Sequence, residues 1–395
     1  MKTALFYGGL VLAALGLSWP ALAQDGGACQ DDDQCPGPAH VCQKGRCVVD
    51  PLAEERLMRM LLGAVDRSVV QPCQALPVFN KALDLAKDAG LRARVSMIEG
   101  RIDITQEACT TGGFGVLSSS RKSKDGASMV LVPGGYFRRG SDRMSLQSGL
   151  KVCRETYSHP DDCTTDWFQR ESPRRDIELS PFYIDQYEVT NAQYSACVAA
   201  GDCQTLDYSA CNIYDPESGR WEMGGKGPGS LKGPQHPVVC VSWHQADAYC
   251  RWAGKRLPTE AQWEKAARGH KDDREFPWGQ NWEPTWLNWG ELAGFGKDDG
   301  FETSAPVGSF PKNVSPYGAY DMAGNVWEWT ADWQDDAFYQ HAPLKDPFND
   351  LGGANRIVRG GSWSFAGNGA RVAYRYFEQP EARDDALGFR CVQKP

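Results

Sequence analysis

The chain is poor in histidine, the side chain that metal enzymes use most often as a ligand. Among 395 residues there are six histidines, His40, His159, His236, His244, His270 and His341. None stands in the spacing of a two-histidine, one-carboxylate iron site. There is no basic block: 42 Lys and Arg are spread along a chain of formal charge −9, which argues against nucleic acid or anionic membrane as the main partner. No long apolar run follows the first two dozen residues, so no membrane insertion is expected. No repeat of solenoid or propeller period occurs. The stretch VRGGSWSFAGNGARVAYRYF, ending at Phe377, is a glycine-framed loop of the kind that often carries reacting atoms, yet it contains no Cys, His, Asp or Glu.

What is plentiful is apolar mass, 41% with 14 Trp, enough for a sizeable core, and cysteine, of which there are 14. The opening MKTALFYGGLVLAALGLSWPALAQ combines Lys2, an apolar stretch to Leu17 and the ending Ala21-Leu22-Ala23. That is the grammar of a cleaved secretory signal over residues 1–23, too short for a membrane anchor and with no lipid-accepting Cys behind it. An exported protein, periplasmic or secreted, is expected, in a compartment where an even number of cysteines can pair completely.

The cysteines also divide the chain. Residues 24–50 hold Cys29, Cys35, Cys42 and Cys47 in a segment too short for a hydrophobic core. Two bridges of open connectivity are expected there, in preference to a zinc knuckle, because CxxC pairs are missing. Residues 51–109 show helical spacing at Leu57, Met60, Leu61, Ala64 and Val65, at Phe79, Leu83 and Ala86, and at Leu91, Val95, Ile98 and Ile102. A helical hairpin closed by Cys73–Cys109 follows, as a small packing or spacer segment. Residues 110–128 are rich in Gly and Ser and read as a flexible linker.

The main domain is expected over 129–395. Its opening, SMVLVPGGYFRRGSD, reads as a β-hairpin. Thr190 with Gln193, Ser242 with Gln245 and Thr259 with Gln262 form three capping boxes that start helices, two of which end at Gly254 and Gly269. About a hundred irregular, aromatic, glycine-rich residues follow, which need disulfides, buried Trp or bound cations to order them.

The blocks VLVPGGYFRRGSD, PFYIDQYEVTNAQY, HPVVCVSWHQADAYCRWAGKRLPTEAQWEKAARG, YGAYDMAGNVWEWTADW, RGGSW and LGFRC stand in one order. In that order they resemble the formylglycine-generating enzyme, or sulfatase-modifying factor, family, from about Met129 to Cys391. The resemblance implies an α+β, loop-rich fold of C-type lectin-like topology. It also implies an oxidation of a target cysteine with O2 and copper held by two thiolates five residues apart behind a Gly-Gly-Ser motif. Here that motif is Gly360-Gly361-Ser362 and the thiolate positions are Phe365 and Ala370. Neither side chain can bind copper, so no copper is expected. The iron-dependent branch of the family is not matched either. His244 with Asp247 could share a metal on a helix, but an exposed helix pair is the simpler reading.

The resemblance pairs Cys250 with Cys391. Cys153–Cys163 and Cys197–Cys203 each enclose a short loop, which leaves Cys211 for Cys240. With all cysteines bridged, no thiolate remains as nucleophile or soft ligand. Two structural calcium sites also carry over: Asn288, Trp289, Asp299 and Phe301 for one, Asp321, Gly324, Val326 and Glu328 for the other. The alternative is that Asp299 and Asp321 cap turns while Glu328 pairs with an arginine. The function expected is a non-catalytic binding or scaffold module for an exported protein, peptide or glycan. Trp363, Tyr374, Tyr376 and Phe377 are candidate contacts, with core packing as their other reading. A divergent oxidoreductase acting on an exported protein or small molecule is the alternative function.

Overall fold

The computed structural model describes residues 40–43, 46–49, selected positions between 52 and 102, and 120–395 apart from 216–217, 226–228, 271–272 and 291–298. The expected signal, Cys29, Cys35 and the Cys73–Cys109 bridge lie outside the described residues. The chain divides into two compact units, 1–116 and 117–395.

In the first unit β1 (His40–Gln43) and β2 (Arg46–Val49) pair antiparallel with Cys42 opposite Cys47, and both cysteines are disulfide-bonded. Helix α1 (Pro72–Asp88) is followed by Gly90 at φ 70°, a left-handed value that glycine adopts freely. Leu57, Phe79, Ala86, Ile98 and Ile102, all on the apolar faces read from helical spacing, are buried in one cluster. His40 Nδ1 lies 2.8 Å from Asp88 Oδ2, which joins the hairpin to the end of α1.

The second unit is α+β and loop-rich. One four-stranded sheet has the order β14-β7-β4-β3, built from β3 (Ser120–Lys122), β4 (Ser128–Val132), β7 (Phe182–Asp185) and β14 (Val392–Gln393). The strand β3 corrects the reading of 110–128 as linker. Its last residues belong to the domain, where Ser123 and Ala127 close a turn and the Asp125 carboxylate meets Lys255 Nζ at 2.9 Å, fully buried. The expected hairpin is also corrected. β4 pairs with β3 and β7, whereas β5 (Gly135–Arg139) pairs with β6 (Arg175–Leu179) in a separate ribbon. The Pro-Gly-Gly segment is a crossing point between sheets, not a hairpin turn, and it passes so near Pro181 that a Cβ at Gly134 would sit 2.9 Å from its Cδ.

Between β5 and β6 lies α2 (Arg143–Thr156), capped by the Asp142 carboxylate, which accepts from the Met144 and Ser145 amides. Helices α3 (Asn191–Ala199), α4 (Trp243–Trp252) and α5 (Glu260–Arg268) each begin with both side-chain bonds of a capping box in place. Every residue of α5 is buried, its charged ones included. A short ribbon of β8 (Asn212–Asp215) and β9 (Arg220–Met223) comes between α3 and α4. The second four-stranded sheet has the order β12-β11-β10-β13, from β10 (Trp327–Trp333), β11 (Arg356–Arg359), β12 (Tyr376–Glu378) and β13 (Leu387–Gly388). A short helix, α6 (Asp336–His341), sits between β10 and β11.

Four bridges cross-link this unit: Cys153–Cys163, Cys197–Cys203, Cys211–Cys240 and Cys250–Cys391. No free cysteine occurs among the described residues. The last bridge ties α4 to the chain just before β14, within a core that includes Tyr249, Trp329, Val358 and Phe389. No described helix is long and apolar enough to cross a membrane.

Candidate functional site

Strand β11 delivers the chain into Gly360 and Gly361, at φ 101° and 77°. At Gly361 the loop doubles back on itself, and a Cβ there would lie 2.9 Å from Ala370 N. Only glycine tolerates both the backbone angle and the approach. Phe365 is half-buried, and its ring centroid stands 5.2 Å from Trp327, 5.9 Å from Tyr374 and 6.0 Å from Tyr376. Ala370 is buried with Leu287, Trp289 and Ala323. Gly369 makes room for the ring, because a Cβ on it would be 2.5 Å from Phe365 Cδ1. The loop therefore presents packed aromatic and methyl groups at positions 365 and 370. No sulfur or imidazole stands in it, and the residues do not fit copper.

Arginines hold this loop. Arg359 donates to Glu260 Oε1 at 3.1 Å and Glu264 Oε2 at 2.8 Å, Arg371 pairs with Glu171 and Glu275 at 2.8 Å each, and Arg375 Nε meets Glu260 Oε1 at 2.6 Å. Burial alone would raise the Glu264 carboxyl, but Arg268 and Arg359 outweigh it and hold it below the usual range. At Glu171 burial prevails over Arg371 and the carboxyl is pushed up. This buried ionic frame was not read from the sequence, and it is a further tie on the irregular region beside the disulfides and buried Trp.

The four candidate aromatics separate into two pairs. Trp363 is 2% exposed, stacked on Trp221 at 5.7 Å with its indole N–H donating to the Asp385 carbonyl at 3.3 Å. Tyr374 is also buried, edge-on to Phe168. Both take the core reading. Tyr376 and Phe377 are half-buried and stacked at 5.7 Å, with the Arg170 guanidinium 4.8 Å above Phe377. With Phe365 they form the accessible aromatic face of the site. Asn368, between the two replaced positions, is fully buried and neither of its amide atoms has a hydrogen-bond partner.

The residues expected to hold cations are also placed. Asn288 Nδ2 donates to the Thr303 carbonyl at 2.9 Å and to Asn325 Oδ1 at 3.3 Å, while Asp299 Oδ1 accepts from the Phe301 amide. Trp289 is buried beside them in sequence, and 291–298, between Trp289 and Asp299, lie outside the described residues. In the second set Asp321 sits at φ 56° in the turn that leads through Gly324 and Val326 into β10, and its Oδ2 accepts from the Gly308 amide at 2.6 Å. Asp321, Glu188 and Glu328 are all buried, with Arg390 opposing them. Burial and its acidic neighbours push the Glu188 carboxyl well above the usual range, and burial pushes Asp321 up to about 6.

This surplus of buried negative charge suits a hard cation. Glu328, however, already accepts from Arg390 with both oxygens and from the Trp263 indole. Among the described residues no group of three or more His, Cys, Asp or Glu is arranged to hold a metal. His244 and Asp247 do not share a site: His244 faces Glu381 at 3.7 Å in the open, and Asp247 pairs with Arg251.

Residues 114–395 match the model of the sulfatase-modifying factor enzyme 1-like domain. A formylglycine-generating enzyme of Thermomonospora curvata is 36% identical over 68% of this chain and 93% of its own length. The mouse protein named inactive C-alpha-formylglycine-generating enzyme 2 is 33% identical over 67% of this chain and 85% of its own. Among solved structures, PvdO from Pseudomonas aeruginosa superposes with a TM-score of 0.52 at 28% identity, covering 70% of this chain and 98% of that one.

Proposed function

The chain belongs to the sulfatase-modifying factor family, and on that premise we propose that it is an exported, non-catalytic member that acts as a binding or scaffold module. The observation that carries this reading is the occupancy of positions 365 and 370 by a ring wedged among Trp327, Tyr374 and Tyr376 and by a buried methyl group, with no free cysteine among the described residues. Thiolate chemistry needs a thiolate, and the loop supplies none. That a relative bears the name of an inactive enzyme supports the same reading.

What the site can do is bind. Phe365, Tyr376 and Phe377 offer an aromatic face on an ionically fixed loop, suited to a peptide or glycan of another exported protein. Structural calcium at Asp321 and at Asn288, Trp289, Asp299 and Phe301 completes the reading, with no copper expected. Titration of thiols in the unfolded, unreduced protein tests it. None is expected, and two per chain would restore the oxidoreductase.

A further inference from the structure

Strand β10 has a second site at its other end. Trp327 opens the strand beside the ring cluster; Trp333 closes it six residues later, roughly 20 Å away at the usual rise per residue. Trp333 walls a cavity of about 760 Å³, whose lining includes Trp243, Arg256, Phe348 and Arg356 and no member of the ring cluster. The size is that of a small-molecule site.

The Arg356 guanidinium lies between two indoles, 3.5 Å from the Trp333 centroid and 3.8 Å from that of Trp243. Arg356 is 8% exposed. One terminal nitrogen donates to the Ala331 carbonyl at 2.6 Å, while Nε is buried with no acceptor. Arg359, Arg371, Arg375 and Arg390 each meet a carboxylate, and among the described residues Arg356 meets none at ion-pair distance. Arg256, half-buried on the same cavity, donates to the Leu257 carbonyl at 3.0 Å and meets no carboxylate at ion-pair distance among the described residues. Burial holds both guanidiniums below their usual range, Arg356 at about 10.

The acids nearby act on these arginines only at longer range, Asp332 and Asp346 on Arg256 and Asp332 and Asp247 on Arg356, and their direct bonds go elsewhere. Asp247 pairs with Arg251, and both oxygens of Asp346 accept from Ser180. Asp332 accepts from the Glu260 and Asn349 amides, and burial together with Glu260 pushes its carboxyl up to about 7. Asp350 and Lys394 are exposed at the rim. One buried and one half-buried cation thus share a cavity whose acids stay beyond ion-pair distance, an arrangement that an incoming anion relieves.

We propose that this cavity binds a small molecule bearing an oxyanion, a carboxylate or a phosphate or sulfate ester, with the anionic group on Arg256 and Arg356 and its apolar part against Phe348 and the indoles. The proposal stands apart from the reading of the ring cluster and survives or fails independently of it.

The test is calorimetric titration of the whole chain with inorganic phosphate, sulfate and succinate at constant ionic strength. Saturable binding of at least one is expected, weakened about tenfold or more in Arg356→Gln and in Arg256→Gln, as the loss of one charge-assisted bond implies. Lys151→Gln, an exposed charge on α2, should bind as the unaltered chain does. If Arg356→Gln misfolds by circular dichroism, Arg256→Gln decides. No saturable binding of any of the three overturns the proposal, as does binding that both arginine variants leave intact. The three anions separate a carboxylate ligand from one that carries phosphate or sulfate.

Discussion

Arg390 grips Glu328 by both carboxylate oxygens, Nε to Oε2 and a terminal nitrogen to Oε1 at 2.7 Å each, with both side chains fully buried. The Trp263 indole adds a third bond to Oε2 at 2.8 Å, so one carboxylate fastens α5 and the segment before β14 to the start of β10. Removing the charge of Glu328 leaves the guanidinium buried without its partner. Glu328→Gln should destabilise the second unit by about 3–5 kcal/mol in chemical denaturation. A loss under 1 kcal/mol would mean that the pair is not structural.

Asp385 is fully buried with one oxygen on the Tyr214 amide at 2.9 Å and the other without a partner. Burial first, and then Asp384, push its carboxyl up to about 8. Folded protein therefore keeps this proton where the unfolded chain, with its ordinary value of about 3.9, has released it. Stability contributed here is present at low pH and falls as pH rises toward 8. Asp385→Asn should flatten that slope and stabilise the protein by about 1–3 kcal/mol at pH 8, with little change at pH 4. Equal pH profiles for the two proteins would refute the assignment.

Phe365 is expected to contribute packing as well as surface. Phe365→Ala should cost about 2 kcal/mol, less than a fully buried ring because one side is open. Denaturation curves that superpose would show that the ring is held by nothing.

Calcium at Asp321 would appear in melting. A calcium concentration about a hundred times the dissociation constant adds roughly 2.7 kcal/mol, visible as a rise in Tm over the chelated protein. Asp321→Asn should shrink that rise. Identical melting with calcium and with chelator would remove the metal from this fold.

Legibility in the sequence followed the range of the interactions. The capping boxes at Thr190, Ser242 and Thr259 join residues three apart, and the short loops of Cys153–Cys163 and Cys197–Cys203 are equally local. Helix α2 is legible on the same grounds, since Asp142 caps it and Leu146, Gly149, Val152, Cys153 and Thr156 repeat at three and four residues along its buried side, yet it is absent from the sequence reading. The partner of β5 could not be read because β6 lies beyond the whole of α2. The arginine frame was equally hidden, since Arg371 and Glu171 stand 200 positions apart and a carboxylate in a sequence looks the same buried or exposed. Trp363 reads as available in a polar loop because nothing local reveals that Trp221 covers it.

The Cys250–Cys391 bridge spans 141 positions. Under tension between the ends of the second unit, load crosses that bond directly and the enclosed chain stays slack. About 480 Å of contour, at roughly 3.4 Å per residue, is withheld from extension until the bridge is reduced. Phe365, Tyr374, Tyr376 and Phe377 lie within that shielded length, as do Arg256, Trp333 and Arg356, whereas Trp243 lies outside it, so a tethered molecule pulled open elsewhere would keep the ring cluster and strip one indole from Arg356.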